Sequence, residues 1–304
     1  MTDRIHGLVA ATYTPFDAHG RLDVTPIEAM VEYLIASGIR GLYVCGSTGE
    51  GMSLTTDERC RVAEAYVQAA AGRVPIFVQV GHNSLTDAKM LAAHAESIGA
   101  DAVSATCPSY FKIASTEGLI ECMHEIASSA PGLPFYYYHI PVLTGSTVDI
   151  VDFLSRAGQA IPNLAGLKYT DTKLHEFQQC LELEGGRYDV VWGCDEMMLG
   201  ALATGSRGAI GSTYNIAAPL YERMSAAFES GDMQTARQLQ SKSIEMIRIL
   251  GQFPFHSAMK EVLRMLGFEF GTCRLPQQSL TRNQVAKLRE DLVQLDVLAE
   301  LIAP

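Results

Sequence analysis

The chain of 304 residues has no run of about 18 apolar residues free of charge, so no membrane span is expected. Its start, Met1-Thr-Asp-Arg-Ile-His-Gly7, holds no apolar core followed by a small-residue cleavage site. No signal peptide is expected, and a cytoplasmic location is. Basic residues are few: 23 Lys and Arg stand against 34 Asp and Glu, a formal net charge of -11. A nucleic-acid partner would need clustered Lys and Arg and is not expected. No CxxC pair occurs among the cysteines, which are odd in number and scattered at 45, 60, 107, 122, 180, 194 and 273. They read as reduced, buried small hydrophobes, with Cys45, Cys107 and Cys194 on expected strands. The histidines form no HxH or HExxH pair, so no metal is expected. A P-loop is missing too, and Gly205-x-x-Gly208-x-x-Gly211 runs from loop into strand, the wrong context for a dinucleotide. No cofactor is expected.

What the chain does have is apolar residues, 48% of the total, with 19% charged. That is enough to bury a large core. Eight short apolar segments recur: Gly7–Pro15, Gly41–Gly46, Pro75–Gly81, Ala102–Pro108, Phe135–Pro141, Leu164–Thr170, Val190–Asp195 and Gly208–Tyr214. They show little period-2 alternation, as expected of parallel strands covered on both faces. Helical patterns fit between them, at Thr25–Ser37, at Arg61–Ala71 opened by Thr56-Asp57-Glu58, and at Ala88–Ile98 opened by Ser84-Leu85-Thr86-Asp87. Gly38, Gly72 and Gly99 stand where a left-handed helix end prefers glycine. Eight such units predict an α/β fold, a (β/α)₈ TIM barrel over residues 1–230. A doubly wound open sheet is the competing architecture, but the first strand has no Gly-rich dinucleotide turn after it. Helices at Met233–Gly251, Phe255–Leu266 and Thr281–Leu301 form a C-terminal extension over residues 231–304, packed on the barrel.

Chemistry in a barrel sits at the C-terminal ends of the strands. There, Lys168 in Leu164-Ala-Gly-Leu-Lys-Tyr-Thr-Asp171 is out of place. A lysine on a buried strand is paired, points outward or works. Desolvation lowers its pKa, and a neutral amine can attack a carbonyl and form a Schiff base. The competing reading is a surface lysine at a strand end. Against that reading stand its neighbours on the rim. Gly46-Ser-Thr-Gly-Glu-Gly51 offers backbone amides and two hydroxyls, a small anion nest suited to a carboxylate. Phe135-Tyr-Tyr-Tyr-His139 must turn at least one phenol inward. His139 then points to the face opposite Tyr138 and reads as structural. A 2-oxo acid fits this set, with its ketone on Lys168, its carboxylate on Ser47 and Thr48, and Tyr138 handling protons.

Four motifs carry a resemblance: Gly46-Ser-Thr-Gly-Glu50, Tyr138-His-Ile-Pro141 with Thr144-Gly145, Gly166-Leu-Lys168, and Gly211-Ser-Thr-Tyr-Asn215. In that order, between Gly7 and Leu220, they resemble the class I aldolase family of N-acetylneuraminate lyase and dihydrodipicolinate synthase. The resemblance implies a (β/α)₈ barrel, a lysine Schiff base with pyruvate and a homotetramer. It makes Lys168 the Schiff-base lysine and Tyr138 the proton relay, and puts the pyruvate carboxylate on Ser47 and Thr48. It also implies that Thr170, Gly193, Asp195, Glu196 and Ser212 bind a sugar chain. Tyr110 matches a catalytic tyrosine lent to a neighbouring subunit, although its flanks Ser109 and Phe111 depart from the family's double tyrosine. Leu143 stands where the synthase branch has an arginine for a second carboxylate, so the lyase branch is the nearer one. The implied reaction is reversible cleavage of N-acetylneuraminate to N-acetylmannosamine and pyruvate. Alternatives are a lyase for another 2-keto-3-deoxy sugar acid, a further pyruvate-dependent aldolase, or a non-catalytic binder of pyruvate or a sugar acid.

Overall fold

The computed structural model describes residues 4–295. Strands β1 (Gly7–Ala11), β2 (Gly41–Val44), β3 (Ile76–Gln79), β4 (Ala102–Ala105), β5 (Phe135–His139), β6 (Leu164–Tyr169), β7 (Asp189–Trp192) and β8 (Gly208–Gly211) pair in parallel, in sequence order. β8 returns to β1, with Leu8 opposite Ala209, and the sheet closes into a barrel. Around it lie α1 (Ile27–Ala36), α2 (Thr56–Ala70), α3 (Leu85–Ser97), α4 (Thr116–Ala127), the single turn α5 (Pro141–Thr144), α6 (Ile150–Ala160), α7 (Leu174–Glu182), α8 (Met198–Thr204) and α9 (Tyr214–Glu229). Three helices follow: α10 (Met233–Leu250), α11 (Phe255–Met265) and α12 (Arg282–Gln294). The expected helix Thr281–Leu301 is thus α12 over its first part, and residues 296–304 lie outside the described ones. Among the described residues no helix is long and apolar enough to cross a membrane.

All eight expected strands form, and each is buried along nearly its whole length. One set of side chains fills the barrel interior, including Val9, Ala11, Tyr43, Phe77, Ala102, Tyr136, Tyr138, Val191 and Ile210. The alternate set, including Leu42, Val44, Tyr137, Leu167, Tyr169 and Trp192, packs outward under the helices. This double burial is why the segments read as unbroken apolar runs.

Strands end earlier than the apolar runs do. β1 stops at Ala11 and β2 at Val44, so Cys45, Cys107 and Cys194 lie just beyond strands rather than on them. The chain must leave the sheet there to build the rim, and Cys45 does so with a left-handed φ of 59°. All seven cysteines are free, and Cys60, Cys122 and Cys194 are only half-buried.

Helix starts follow local hydrogen-bonding chemistry. Thr55 and Glu58 form a reciprocal capping box on α2, and Ser84 caps α3 by accepting from the Asp87 amide. Gly38 and Gly99 leave α1 and α3 with φ of 94° and 79°, the left-handed exit glycine tolerates best. Beyond the barrel, α10 packs along α9, and a buried hydroxyl chain ties the two. Tyr221 on α9 lies 2.8 Å from Ser243 on α10 and 2.7 Å from Thr213 at the β8 rim.

Candidate active site

Lys168 lies on β6 opposite Tyr138 of β5 and Val191 of β7. Strand alternation sends its neighbour Tyr169 outward and Lys168 into the barrel. It is 4% exposed. Its Nζ sits 4.2 Å from the ring centroid of Tyr138 and 4.3 Å from that of Tyr43. The two rings meet edge to face, 5.7 Å apart. The Tyr43 hydroxyl donates to Ser104 Oγ at 3.0 Å, which fixes that ring. Burial, then the neighbouring Tyr138, drives the Tyr43 phenol well above its ordinary pKa, so it stays protonated. An amine held between two aromatic faces and away from bulk water is a confined nucleophile. Tyr43 was not singled out from sequence. A tyrosine in an apolar strand reads as core, and only the alternation from Leu42 and Val44 outward to Tyr43 inward could have flagged it.

The loop after β2 forms the next wall. It folds tightly on itself: the Glu50 amide donates to Ser47 O and the Gly51 amide to Gly46 O, both at 3.1 Å. A Cβ on Gly51 would stand 2.0 Å from Cys45 O, so no other residue fits there. Cys45 and Glu50, at the two ends of Gly46–Gly49, both adopt left-handed backbone, with φ of 59° and 55°. Such non-glycine conformations cost on the order of 1–3 kcal/mol each and persist only where the surroundings impose them. Between them, and among the described residues, the amides of Ser47 and Thr48 donate to no acceptor in the chain. Thr48 Oγ1 lies 2.6 Å from Ser212 Oγ, which brings the β2 and β8 rims together. Asn215 pins the β8 rim further by donating to Ala11 O at 2.7 Å.

On the β6–β7 side, Thr170 and Gly193 are in contact. A Cβ on Gly193 would stand 2.0 Å from Thr170 Oγ1, a buried hydroxyl with no hydrogen-bond partner among the described residues. Asp195 is buried, and its Oδ2 accepts from the Thr213 amide at 2.9 Å and the Thr213 hydroxyl at 2.6 Å. Burial pushes its carboxyl up to about 6; Glu196 adds to that, while the Thr213 hydrogen bonds and the charge of Lys168 oppose it. Glu196 is exposed, with its backbone carbonyl held by Gln240 of α10 at 3.0 Å. In sequence Thr213 carries no role of its own within the Gly211–Asn215 motif and Gln240 is not singled out, because their contacts cross from the β7 rim to β8 and α10.

Tyr110 does not join this cluster within the chain. It is 79% exposed and pairs edge to face with the exposed Phe111, 5.1 Å between centroids. Asn83 holds their loop by accepting from the Ser109 and Tyr110 amides. Leu143, on the turn α5, is also exposed.

His139 lies outside the barrel, as alternation predicts, against the rings of Tyr137 and Tyr169. Burial pushes its imidazole down to about 4, so it is neutral at pH 7. Among the described residues its Nε2 has no hydrogen-bond partner, and it lies 3.9 Å from Glu176 Oε1. With Asp171, these residues form the one grouping of potential metal ligands among the described residues. Its charge is already met, because Lys173 Nζ lies 3.0 Å from Asp171 Oδ2 and 3.9 Å from Glu176 Oε1.

Comparison with known proteins agrees with this geometry. Residues 4–295 match the model of the dihydrodipicolinate synthetase family. N-acetylneuraminate lyase A of Xenopus laevis is 41% identical over 303 residues, which cover 97% of this chain and 98% of that one. The structure of Proteus mirabilis N-acetylneuraminate lyase superposes with a TM-score of 0.95 at 38% identity, over 97% of this chain and all of that one. A dihydrodipicolinate synthase of Bacillus anthracis gives 0.90 at 28% identity, over 96% of this chain and 99% of that one. A match over nearly the whole chain, with the barrel and the buried lysine in place, means that the chain belongs to the dihydrodipicolinate synthetase family.

Proposed function

We propose that this chain is a Schiff-base aldolase that reversibly cleaves N-acetylneuraminate to N-acetylmannosamine and pyruvate. The observation that carries the proposal is Lys168 Nζ, buried inside the barrel between the rings of Tyr43 and Tyr138. The lyase over the synthase reaction is supported by the higher identity to proteins named as lyases and by Leu143, which has no charge to pair with a second carboxylate.

The mechanism follows from the side chains. Deprotonated Lys168 attacks C2 of the open-chain keto acid, and water leaves to give an iminium. The substrate carboxylate takes the free amides and hydroxyls of Ser47 and Thr48, whose backbone is already fixed. Tyr138, left as the phenolate after giving its proton to the departing water, removes the C4 hydroxyl proton as the C3–C4 bond breaks, and the electron pair passes into the iminium to form an enamine. N-acetylmannosamine leaves, the enamine is protonated at C3, and water releases pyruvate from Lys168. Thr170, Gly193, Asp195, Glu196 and Ser212 line the side where the polyhydroxy chain extends, and carboxylates accept hydrogen bonds from its hydroxyls. The exposed Tyr110 and Phe111 support a homotetramer in which Tyr110 completes a neighbour's site.

The test pairs two assays. Borohydride with pyruvate should add mass to Lys168 in the wild type and nothing in Lys168→Ala. Pyruvate release across a panel of 2-keto-3-deoxy acids should be fastest from N-acetylneuraminate. Trapping at another lysine would overturn the assignment, and preference for a different acid would redirect the substrate.

A further inference from the structure

We propose that Lys260, on α11 beyond the barrel, is a positioning residue for pyruvate capture, acting through Glu50 on the loop that presents Ser47 and Thr48. The proposal rests on the aldolase reading above. Glu50 ends that loop in left-handed backbone. Its side chain is 0% exposed and that of Lys260 1%, with Nζ 2.8 Å from Glu50 Oε1. The ammonium lies off the hydrogen-bonding direction of Oε1, so the attraction is chiefly Coulombic. The other carboxylate oxygen, Oε2, accepts from the Arg274 amide at 2.8 Å.

Two segments of the C-terminal extension therefore converge on one rim carboxylate. Each is itself anchored. Lys260 Nζ stands 4.4 Å from the Phe16 ring centroid and 3.4 Å from Thr272 O. The Arg274 guanidinium pairs with Glu58 at 2.6 and 2.7 Å, and donates to Gly20 O and Ser53 O. His256, one turn before Lys260, is pushed down to about 4 by burial and supplies no competing positive charge at pH 7. From the loop after β1, Thr14 Oγ1 donates to Gly49 O at 2.6 Å and fixes the β2 loop a second time.

A fully buried ion pair is a weak source of stability, because desolvation offsets much of its attraction. This one is spent on a particular backbone. It holds a strained carboxyl-terminal end of the loop, and thereby the direction of the two free amides. The extension thus contributes to the geometry of the site as well as to the packing of the barrel.

The experiment uses the full-length protein and the double variant Glu50→Gln/Lys260→Met, which removes both charges and leaves neither buried alone. Borohydride trapping is titrated with pyruvate, and lyase KM and kcat are measured beside it. With the loop released, the half-saturating pyruvate should rise about tenfold, the weakening expected when the Ser47 and Thr48 amides lose their fixed direction toward the carboxylate. The limiting amount trapped should stay that of the wild type, and KM should rise more than kcat falls. An unchanged half-saturation in a folded double variant would overturn the inference alone. So would a double variant that does not fold, since the pair would then serve the whole barrel. Wild-type protein that traps no pyruvate would overturn the aldolase reading and this inference with it.

Discussion

Replacing Asp195 with asparagine should make the protein relatively more stable as the pH rises. In the folded protein burial pushes the Asp195 carboxyl from 3.8 up to about 6. A raised folded pKa means that the folded state holds its proton more tightly than the unfolded chain. Asp195 is therefore at its least costly below the unfolded value, and stability is lost as pH rises through the folded one. At about 1.4 kcal/mol per unit, the full cost is about 3 kcal/mol, with about 2 kcal/mol of it falling between about pH 4.5 and about pH 7.5. Asparagine has no such titration and can still accept from the Thr213 amide and hydroxyl through its carbonyl oxygen. Its weaker, uncharged acceptor lowers stability by an amount that does not vary with pH. Over 304 residues the unfolding entropy is about 0.6 kcal/mol per degree, so the melting temperature of Asp195→Asn minus wild type should climb by about 3 °C across that range. Parallel thermal melts in matched buffers measure this difference directly. A difference flat from acid to neutral would refute the reasoning, because Asp195 would then titrate as it does in the unfolded chain.

Tyr138→Phe should still trap pyruvate on Lys168 but cleave the C–C bond roughly 10²–10⁴-fold more slowly, the worth of a positioned acid–base group; single-turnover cleavage beside borohydride trapping separates the two steps. Gly193→Ala places a methyl 2.0 Å from Thr170 Oγ1 and 2.9 Å from Tyr169 O, so denaturant unfolding should show a loss of about 1–3 kcal/mol, with Thr170→Ser at the same time failing to relieve it and Thr170→Ala relieving only part of it, since the Tyr169 carbonyl stays in place. Glu196→Gln should lower kcat/KM for N-acetylneuraminate while leaving the half-saturating pyruvate of the trapping assay unchanged, since β8 and β1 stand between its β7 rim and β2 in the barrel. Leu143→Arg should weaken lyase turnover and admit aspartate semialdehyde as an acceptor for pyruvate, read by its condensation product, because a guanidinium pairs with a carboxylate in a bidentate way.

The barrel was legible because a strand buried on both faces has nowhere to put polar residues, so each β-α unit shows as an apolar run and a helical pattern. The ends of those runs were not legible. The loops that leave the sheet after Ala11, Val44 and Ala105 open with Thr12-Tyr13, Cys45 and Thr106-Cys107, β-branched, aromatic or small apolar residues that could equally continue a strand. Lys168 stood out for the opposite reason: a long cationic side chain in an apolar strand contradicts its surroundings. Tyr43 did not stand out, because an aromatic residue in a core strand contradicts nothing, although it comes as close to Lys168 Nζ as Tyr138 does.

The residues that hold the site in shape were the least visible. Thr213 on Asp195, Gln240 on the Glu196 carbonyl and Lys260 on Glu50 each come from another element, and two of the three come from the helices beyond the barrel. In sequence they are an ordinary threonine, glutamine and lysine on helices or rim loops, where such residues usually face water. Their meaning depends on which rim group the fold carries to them. A barrel supplies strand ends at fixed spacing, but the rim loops have no ladder of their own to fix them. Buried side chains from the extension supply that restraint at Glu50 and Glu196. The chemistry of this site therefore depends on residues of two kinds: those that are anomalous on their own strand, which a sequence displays, and those that become anomalous only when folded, as Lys260 does once its ammonium is buried against Glu50.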